Sequence, residues 1–193
     1  MGTPGKIILL HGPSSSGKTT LARALQAAID EPFWHYSIDH FRDSGVLPMQ
    51  RIDAGDFSWS AMRAAFFEGF HRCLPALAES GNNLIVEHIV ETSAWMSRLV
   101  QLLESVDVFF VGLRCPLAEL ERRERRRGDR PSGDARRDFA SLPRFEAYDA
   151  EIDSTADVAA NVRHLLDAWG SRTRPSAFAR LRAVEQRAAA GGT

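Results

Sequence analysis

Gly12-Pro-Ser-Ser-Ser-Gly-Lys-Thr19 follows the pattern G-x-x-x-x-G-K-[ST]. The two glycines let the backbone turn tightly around an anion, and the N–H groups between them point inward at phosphate oxygens. On this reading Gly12, Ser14, Ser15, Ser16, Gly17, Lys18, Thr19 and Thr20 bind the nucleotide. The Lys18 ammonium would bridge the β- and γ-phosphates, the Thr19 hydroxyl would face Mg²⁺, and Thr20 would assist at the α-phosphate. A glycine turn that binds nothing is the bland alternative, and the placement of the loop between an apolar strand and a helix argues against it.

Asp39 follows Phe33-Trp-His-Tyr-Ser-Ile38, which reads as a strand. In an open parallel sheet a residue at a strand's carboxyl end faces the same crevice as the phosphate loop. A carboxylate there can accept the proton of an alcohol and aim its oxygen at the transferring phosphorus. Capping a helix that starts at His40 or Phe41 is the structural alternative, compatible with the first. His40 is a second candidate base, although a solvated or structural histidine is its more ordinary role. Glu87 ends another apolar run and joins Thr19 in the expected metal set, or else pairs with Lys18 or an arginine. His88 and Glu91 follow it, on the side where an acceptor would enter.

Arg122, Arg123, Arg125, Arg126, Arg127 and Arg130 crowd one segment. Phosphoryl transfer needs cations to spread the charge that grows on the γ-oxygens, and the guanidinium fork suits that work. Arg127 and Arg130 flank Gly128, a hinge for a mobile lid, so the expected catalytic set is Asp39, Lys18, Arg127 and Arg130. The plainer reading is a solvated helix with Glu119–Arg123 and Glu121–Arg125 pairs at i,i+4 spacing. A nucleic-acid patch is disfavoured, because the run lacks interleaved aromatics and Glu119, Glu121 and Glu124 dilute it.

These groups need a frame to hold them. Lys6–His11 is continuously apolar up to its last residue, as a strand buried on both faces should be. Residues 19–29 carry apolar positions at helical spacing, and Pro32 lies just beyond. A long helix spans residues 59–77, with its apolar stripe at 59, 62, 66, 67, 70, 74 and 77 and Gly81 after it. Leu84–Glu87 and Val106–Leu113 read as the third and fourth strands, Glu151–Asp153 as a short fifth, with helices over 94–103 and 158–169 and another opened by Pro116. Strands alternating with helices predict a three-layer α/β/α sandwich around a mostly parallel sheet, and the phosphate loop after its first strand makes this a P-loop fold.

The chain has 193 residues, 44% hydrophobic and 25% charged, in the range of one compact domain. We expect a kinase domain over 1–170 with its lid at about 124–140, and an Arg/Ala-rich tail over 171–193 that is weakly helical or disordered. Lys plus Arg number 24 against 25 Asp plus Glu, so no excess charge points to nucleic acid or an anionic membrane as partner. Cys73 and Cys115 sit in apolar stretches and read as free thiols of a reducing compartment. The apolar run Ile7–Leu10 is far too short for a signal or a span, so a cytoplasmic location is expected. The sequence leaves the oligomeric state open.

With these motifs in view, the chain resembles the chloramphenicol phosphotransferase-like family, relatives of shikimate and adenylate kinases. The resemblance runs from Ile7 to about Trp169. It is carried by Ile7-Ile-Leu-Leu-His-Gly-Pro-Ser-Ser-Ser-Gly-Lys18, Ile38-Asp39, Pro48-Met-Gln50, Val111-Gly-Leu-Arg-Cys115, Arg127-Gly-Asp-Arg130 and Tyr148-Asp-Ala-Glu-Ile-Asp-Ser-Thr155. It implies a five-stranded parallel sheet and ATP·Mg²⁺-dependent phosphorylation of a small-molecule hydroxyl, as in 3-O-phosphorylation of chloramphenicol-type antibiotics, which confers resistance. By the same resemblance Asp39 matches the family's general base, Arg127 and Arg130 match its lid arginines, and the loop after Asp153-Ser-Thr155 lies beside the adenine. The connector from Arg51 to Ser58 is shorter than in the chloramphenicol enzyme, which keeps a kinase of another hydroxylated metabolite open. From a different class, so does an ATP-binding regulatory module that orders its lid without phosphoryl transfer. Trp34, Phe41, Met49, Phe57, Trp59 and Phe66 are available to line an aromatic acceptor site, although for the helical stripe ordinary core packing is the expected role.

Overall fold

The computed structural model of the chain describes residues 3–127, 133–143, 145 and 148–190, with residues 188–190 described by backbone alone. Arg130 and the Gly128 hinge lie outside the described residues.

The elements run β1 (Lys6–His11), α1 (Lys18–Ala28), β2 (Phe33–Ser37), α2 (Ile38–Asp43), α3 (Met49–Asp53), α4 (Trp59–Glu79), β3 (Asn83–His88), α5 (Ser93–Leu102) and β4 (Asp107–Arg114). They continue through α6 (Leu117–Arg127), α7 (Asp134–Ser141), β5 (Ala150–Asp153), α8 (Val158–Gly170) and α9 (Ala177–Ala190). The five strands form one parallel sheet in the order β2-β3-β1-β4-β5.

The unbroken apolar run of β1 has a direct cause in the layers. Ile8 and Leu10, with Ile85, Phe109 and Val111, pack against Leu21 and Leu25 of α1 and Val162, Leu165 and Trp169 of α8. Ile7 and Leu9, with Val86 and Phe110, face the other way onto Phe70 and Leu74 of α4, Leu99 of α5 and Phe178 of α9. A strand covered on both faces has no solvent side on which to place polar residues. Because every strand is parallel, the carboxyl ends of β1, β2 and β3 open on one edge of the sheet, the edge where ligands enter such folds.

Three local features differ from the sequence reading. The second strand stops at Ser37, not Ile38: the Ser37 hydroxyl accepts the Asp39 N–H at 3.2 Å, and α2 starts at Ile38. Ser37 is therefore the cap, which leaves the Asp39 carboxylate in the first helical turn. The connector before α4 holds the short helix α3. The segment expected as a lid, about 124–140, contains the helix α7, whose Ala135 joins Leu120 and Cys115 in a small apolar cluster.

After Gly170 the chain continues as an extension of the core layer. Ala177 and Phe178 are buried, and the Ala177 N–H donates to Asp149 Oδ1 at 2.7 Å. Among the described residues no helix is long and apolar enough to cross a membrane.

Candidate active site

The loop between β1 and α1 takes its shape from two glycines. Gly17 has φ 90° and serves as the N-cap of α1, a conformation that favours a residue without Cβ. A Cβ on Gly12 would stand 3.0 Å from Ser16 Oγ and 3.1 Å from Leu113 Cβ, so a side chain there would crowd the loop. No side chain caps α1, which leaves the positive end of its dipole at the loop. Ser16 Oγ is buried without a hydrogen-bond partner, a polar atom in want of a ligand oxygen. These features fit a bound polyphosphate.

An acidic oxygen already samples that cradle. Asp138, on α7 and buried, accepts the Ser14 N–H at Oδ2 with a length of 3.0 Å, and Arg137 Nη2 holds its other oxygen at 3.1 Å. Lys18 folds back, its Nζ donating to the carbonyls of Gly12 and Pro13 at 2.8 Å each. Burial pushes the Lys18 ammonium down to about 8, against the opposing charges of Glu87, Asp138 and Asp39.

Glu87 lies near the end of β3, beside the first turn of α1. Its Oε2 accepts the Thr19 hydroxyl at 2.8 Å, and its Oε1 lies 2.9 Å from His35 Nε2 on β2. Burial raises the carboxyl's pKa, but hydrogen bonds from His35 and Thr19 and the charge of Lys18 outweigh it and hold the group below its usual value. The hydroxyl and the ionised carboxylate offer the hard oxygens that Mg²⁺ prefers. Glu87 makes its direct contacts with Thr19 and His35, while Lys18 acts on it through its charge.

Lys18, Thr19, Thr20, Glu87, Asp39 and Arg127 all line one cleft of about 830 Å³. Arg42 Nη2 approaches Asp39 Oδ1 at 3.2 Å. Farther from the loop, α4 contributes Trp59, Arg63 and Phe67. Arg63 lies 4.6 Å over the Phe67 ring and 5.3 Å from that of Trp95, while its Nη2 reaches Glu91 Oε1 at 2.5 Å. On the lid side, Arg123 makes the expected Glu119 pair at 2.6 Å and also donates Nη2 to the Ser154 carbonyl at 2.7 Å. Glu121 receives Arg136 of α7.

A scan against family models matches residues 5–169 to the model described as chloramphenicol phosphotransferase-like protein. The chain belongs to that family. It is accordingly a P-loop phosphotransferase. The protein named "Putative O-phosphotransferase Rv2636" from Mycobacterium tuberculosis (strain ATCC 25618 / H37Rv) is 32% identical, with 92% of this chain and 88% of that one covered. Among solved structures, the APS kinase CysC of M. tuberculosis in complex with AMPPNP and APS superposes with a TM-score of 0.67 at 19% identity, covering 88% of this chain and 100% of that one. A gluconokinase from Sinorhizobium meliloti 1021 gives 0.60 at 20% identity, with 94% and 95% covered. At such identities the likeness speaks for the fold.

The phosphotransferase also buries histidines around the cleft wall. His88 ends β3, and its Nε2 lies 2.9 Å from His71 Nε2, with the Trp95 ring stacked on it at 5.6 Å. Burial lowers both imidazoles, His71 to about 4 and His88 well below its usual value, which favours the neutral form of each. His88 was expected to face an acceptor from a loop; it lines the cleft from inside the strand. Of the aromatic candidates, Trp59 lines the cleft, Phe41 packs on Tyr36 and Phe70, and Phe57 lies under Arg51. Phe66 packs beside Trp59, and it is Phe67 that reaches the cleft. Sequence reasoning missed Asp138, Arg63 and Phe67. Phe67 stood in the helical stripe, but nothing in the spelling around Asp138 distinguished it from a solvated carboxylate.

Proposed function

We propose that the protein transfers the γ-phosphoryl group of ATP, taken as its Mg²⁺ complex, to a hydroxyl of a neutral aromatic small molecule of the chloramphenicol type. The observation that carries the reading is that Lys18, Thr19, Glu87 and Asp39 open onto one cleft. The loop amides, with the α1 N-terminus, take the β- and γ-phosphates, and Lys18 leaves its two carbonyl partners to reach them. Thr19 and Glu87 would hold the cation, which when bound would supply charge neutralisation at the phosphates. Asp39 accepts the acceptor's hydroxyl proton as that oxygen attacks the γ-phosphorus; the bond from γ-phosphorus to the bridging oxygen breaks and ADP leaves. Arg127, and Arg130 by its match to the family motif, serve as lid cations on the γ-oxygens.

Two observations favour a neutral acceptor. Arg42 is engaged by Asp39 and Asp43, and Arg63 by Glu91, so the guanidiniums of the acceptor half already have carboxylate partners. Trp59 and Phe67 add aromatic surface beside them. The altered connector, with its helix α3, supports a second reading in which the hydroxyl belongs to a different metabolite.

Incubation with ATP·Mg²⁺ and a panel of chloramphenicol, sugars and anionic hydroxy acids tests both, with a mass gain of one phosphate group as readout. Transfer to chloramphenicol is the expected outcome. Transfer to sugars or hydroxy acids alone selects the second reading. No transfer to any acceptor by protein that binds ATP would refute the kinase assignment of Asp39.

A further inference from the structure

His35, His40 and Glu87 bring one ligand atom each to within 4.8 Å of one another. Their convergence follows from the sheet. Ser37 on β2 lies opposite Glu87 on β3, and His35, two residues earlier on β2, projects to the same face as Ser37. Its side chain is 7% exposed, and its Nε2 reaches Glu87 Oε1 at 2.9 Å. At Ser37 the strand gives way to α2, and this bend sets the His40 ring edge-on to His35, with centroids 4.7 Å apart and planes at 75°.

Glu87 is held from behind. Its second oxygen takes the Thr19 hydroxyl, the kind of outer hydrogen bond that fixes a metal-binding carboxylate. Lys18, the cation of the loop, gives two of its three ammonium hydrogens to the carbonyls of Gly12 and Pro13 and acts on Glu87 through its charge. Among the described residues no lysine or arginine is hydrogen-bonded to this buried carboxylate, which faces two imidazoles, an arrangement a divalent ion would complete.

We infer that His35, His40 and Glu87 form a site for a zinc-class divalent cation between β2 and β3, filled in the absence of nucleotide. Two imidazole nitrogens and one carboxylate oxygen suit borderline metals such as Zn²⁺ or Co²⁺, whereas Mg²⁺ takes oxygen ligands. Three protein ligands leave a fourth position for water or a phosphate oxygen. With metal–ligand bonds of about 2.0–2.2 Å, a tetrahedral ion spaces its donors roughly 3.3 Å apart. The His35–Glu87 pair opens slightly to meet that spacing, and His40, exposed on α2, swings inward. The site shares Glu87 with the cation of ATP, but its occupancy rests on the histidines and requires neither donor nor acceptor.

The test is titration of the metal-stripped full chain with Co²⁺ alone, followed by visible absorption and calorimetry, with no nucleotide present. One Co²⁺ per chain, with ligand-field bands and retention against a large excess of Mg²⁺, is expected. His40→Ala, at an exposed position, should weaken uptake by at least about 10- to 100-fold, since even loss of an outer support costs that much. His35→Ala should do the same, with circular dichroism confirming the fold. No uptake, displacement by comparable Mg²⁺, or equal uptake by wild type and the His35→Ala/His40→Ala double variant overturns the inference. A chain that takes no Co²⁺ yet phosphorylates an acceptor rejects the metal site alone. One that binds Co²⁺ yet transfers no phosphoryl group rejects the kinase reading alone.

Discussion

In the donor half of the cleft, as proposed above, recognition would rest on backbone: the N–H groups of a loop whose Ser14, Ser15 and Ser16 are buried, and the start of α1, which no side chain caps. Across from it the acceptor half is made of half-buried side chains, Asp39 on α2 and Trp59, Arg63 and Phe67 on α4. The difference lies in what each half can tolerate. A cradle of amides is crowded if a Cβ intrudes at Gly12 and strained if Gly17 cannot hold φ 90°, so its spelling is tied to its geometry. Side chains on a helix can be exchanged while the helix persists, so the acceptor half can change its ligand without changing the fold.

The sharpest way to break this contrast is Asp39→Asn. The amide keeps the size of the side chain but cannot take a proton, so kcat should fall by roughly 10²- to 10⁴-fold. Binding of ATP·Mg²⁺, measured by calorimetry, should stay within a factor of a few, because the donor half is untouched. Full activity in single-turnover assays would take the base away from Asp39. Lys18→Ala comes next, with an expected loss of about 10²- to 10³-fold that includes weakened nucleotide binding. Lys18 also gives the donor half a pH signature. Its ammonium, lowered to about 8 in the free protein, is charged below that pH and neutral above it. The kcat/KM for ATP, which reports the free enzyme, should therefore decline as pH rises through about 8. A profile flat to pH 10 would contradict the role given to its charge.

The same contrast explains what could be seen in the sequence. β1 was visible because burial on both faces leaves only apolar residues from Ile7 to Leu10, and the loop because amide geometry dictates glycine positions. The layers, the parallel sheet and the five strands followed from the alternation of such runs. Asp39 and Glu87 were singled out by where their strands end. Asp39 then proved to start a helix, since one hydroxyl from Ser37 was enough to cap it. Asp138 and Arg63 could not be found, because their meaning depends on tertiary neighbours 124 and 28 residues away. The Glu119–Arg123 pairing was legible as a local i,i+4 contact, but its second bond, to the Ser154 carbonyl, was not. Local spacing carries no information about which distant backbone a helix end will meet.

Asp138 supplies the smallest and most discriminating test, because it is a side-chain element lodged in the backbone-built half. Its carboxylate occupies the Ser14 N–H that a phosphate oxygen would otherwise receive, and its charge helps keep Lys18 protonated. A net hydrogen bond is worth about 0.5–1.5 kcal/mol, so freeing the amide by Asp138→Ala should tighten ATP·Mg²⁺ binding by roughly two- to tenfold. The lost charge works the other way on Lys18, and its effect should appear separately as a lower pH at which kcat/KM begins to fall. Calorimetry at about pH 6, well below the value of about 8 that Asp138 helps sustain, separates the first effect from the second. If affinity drops instead, the carboxylate belongs to the nucleotide-bound arrangement, and the donor half depends on a side chain after all.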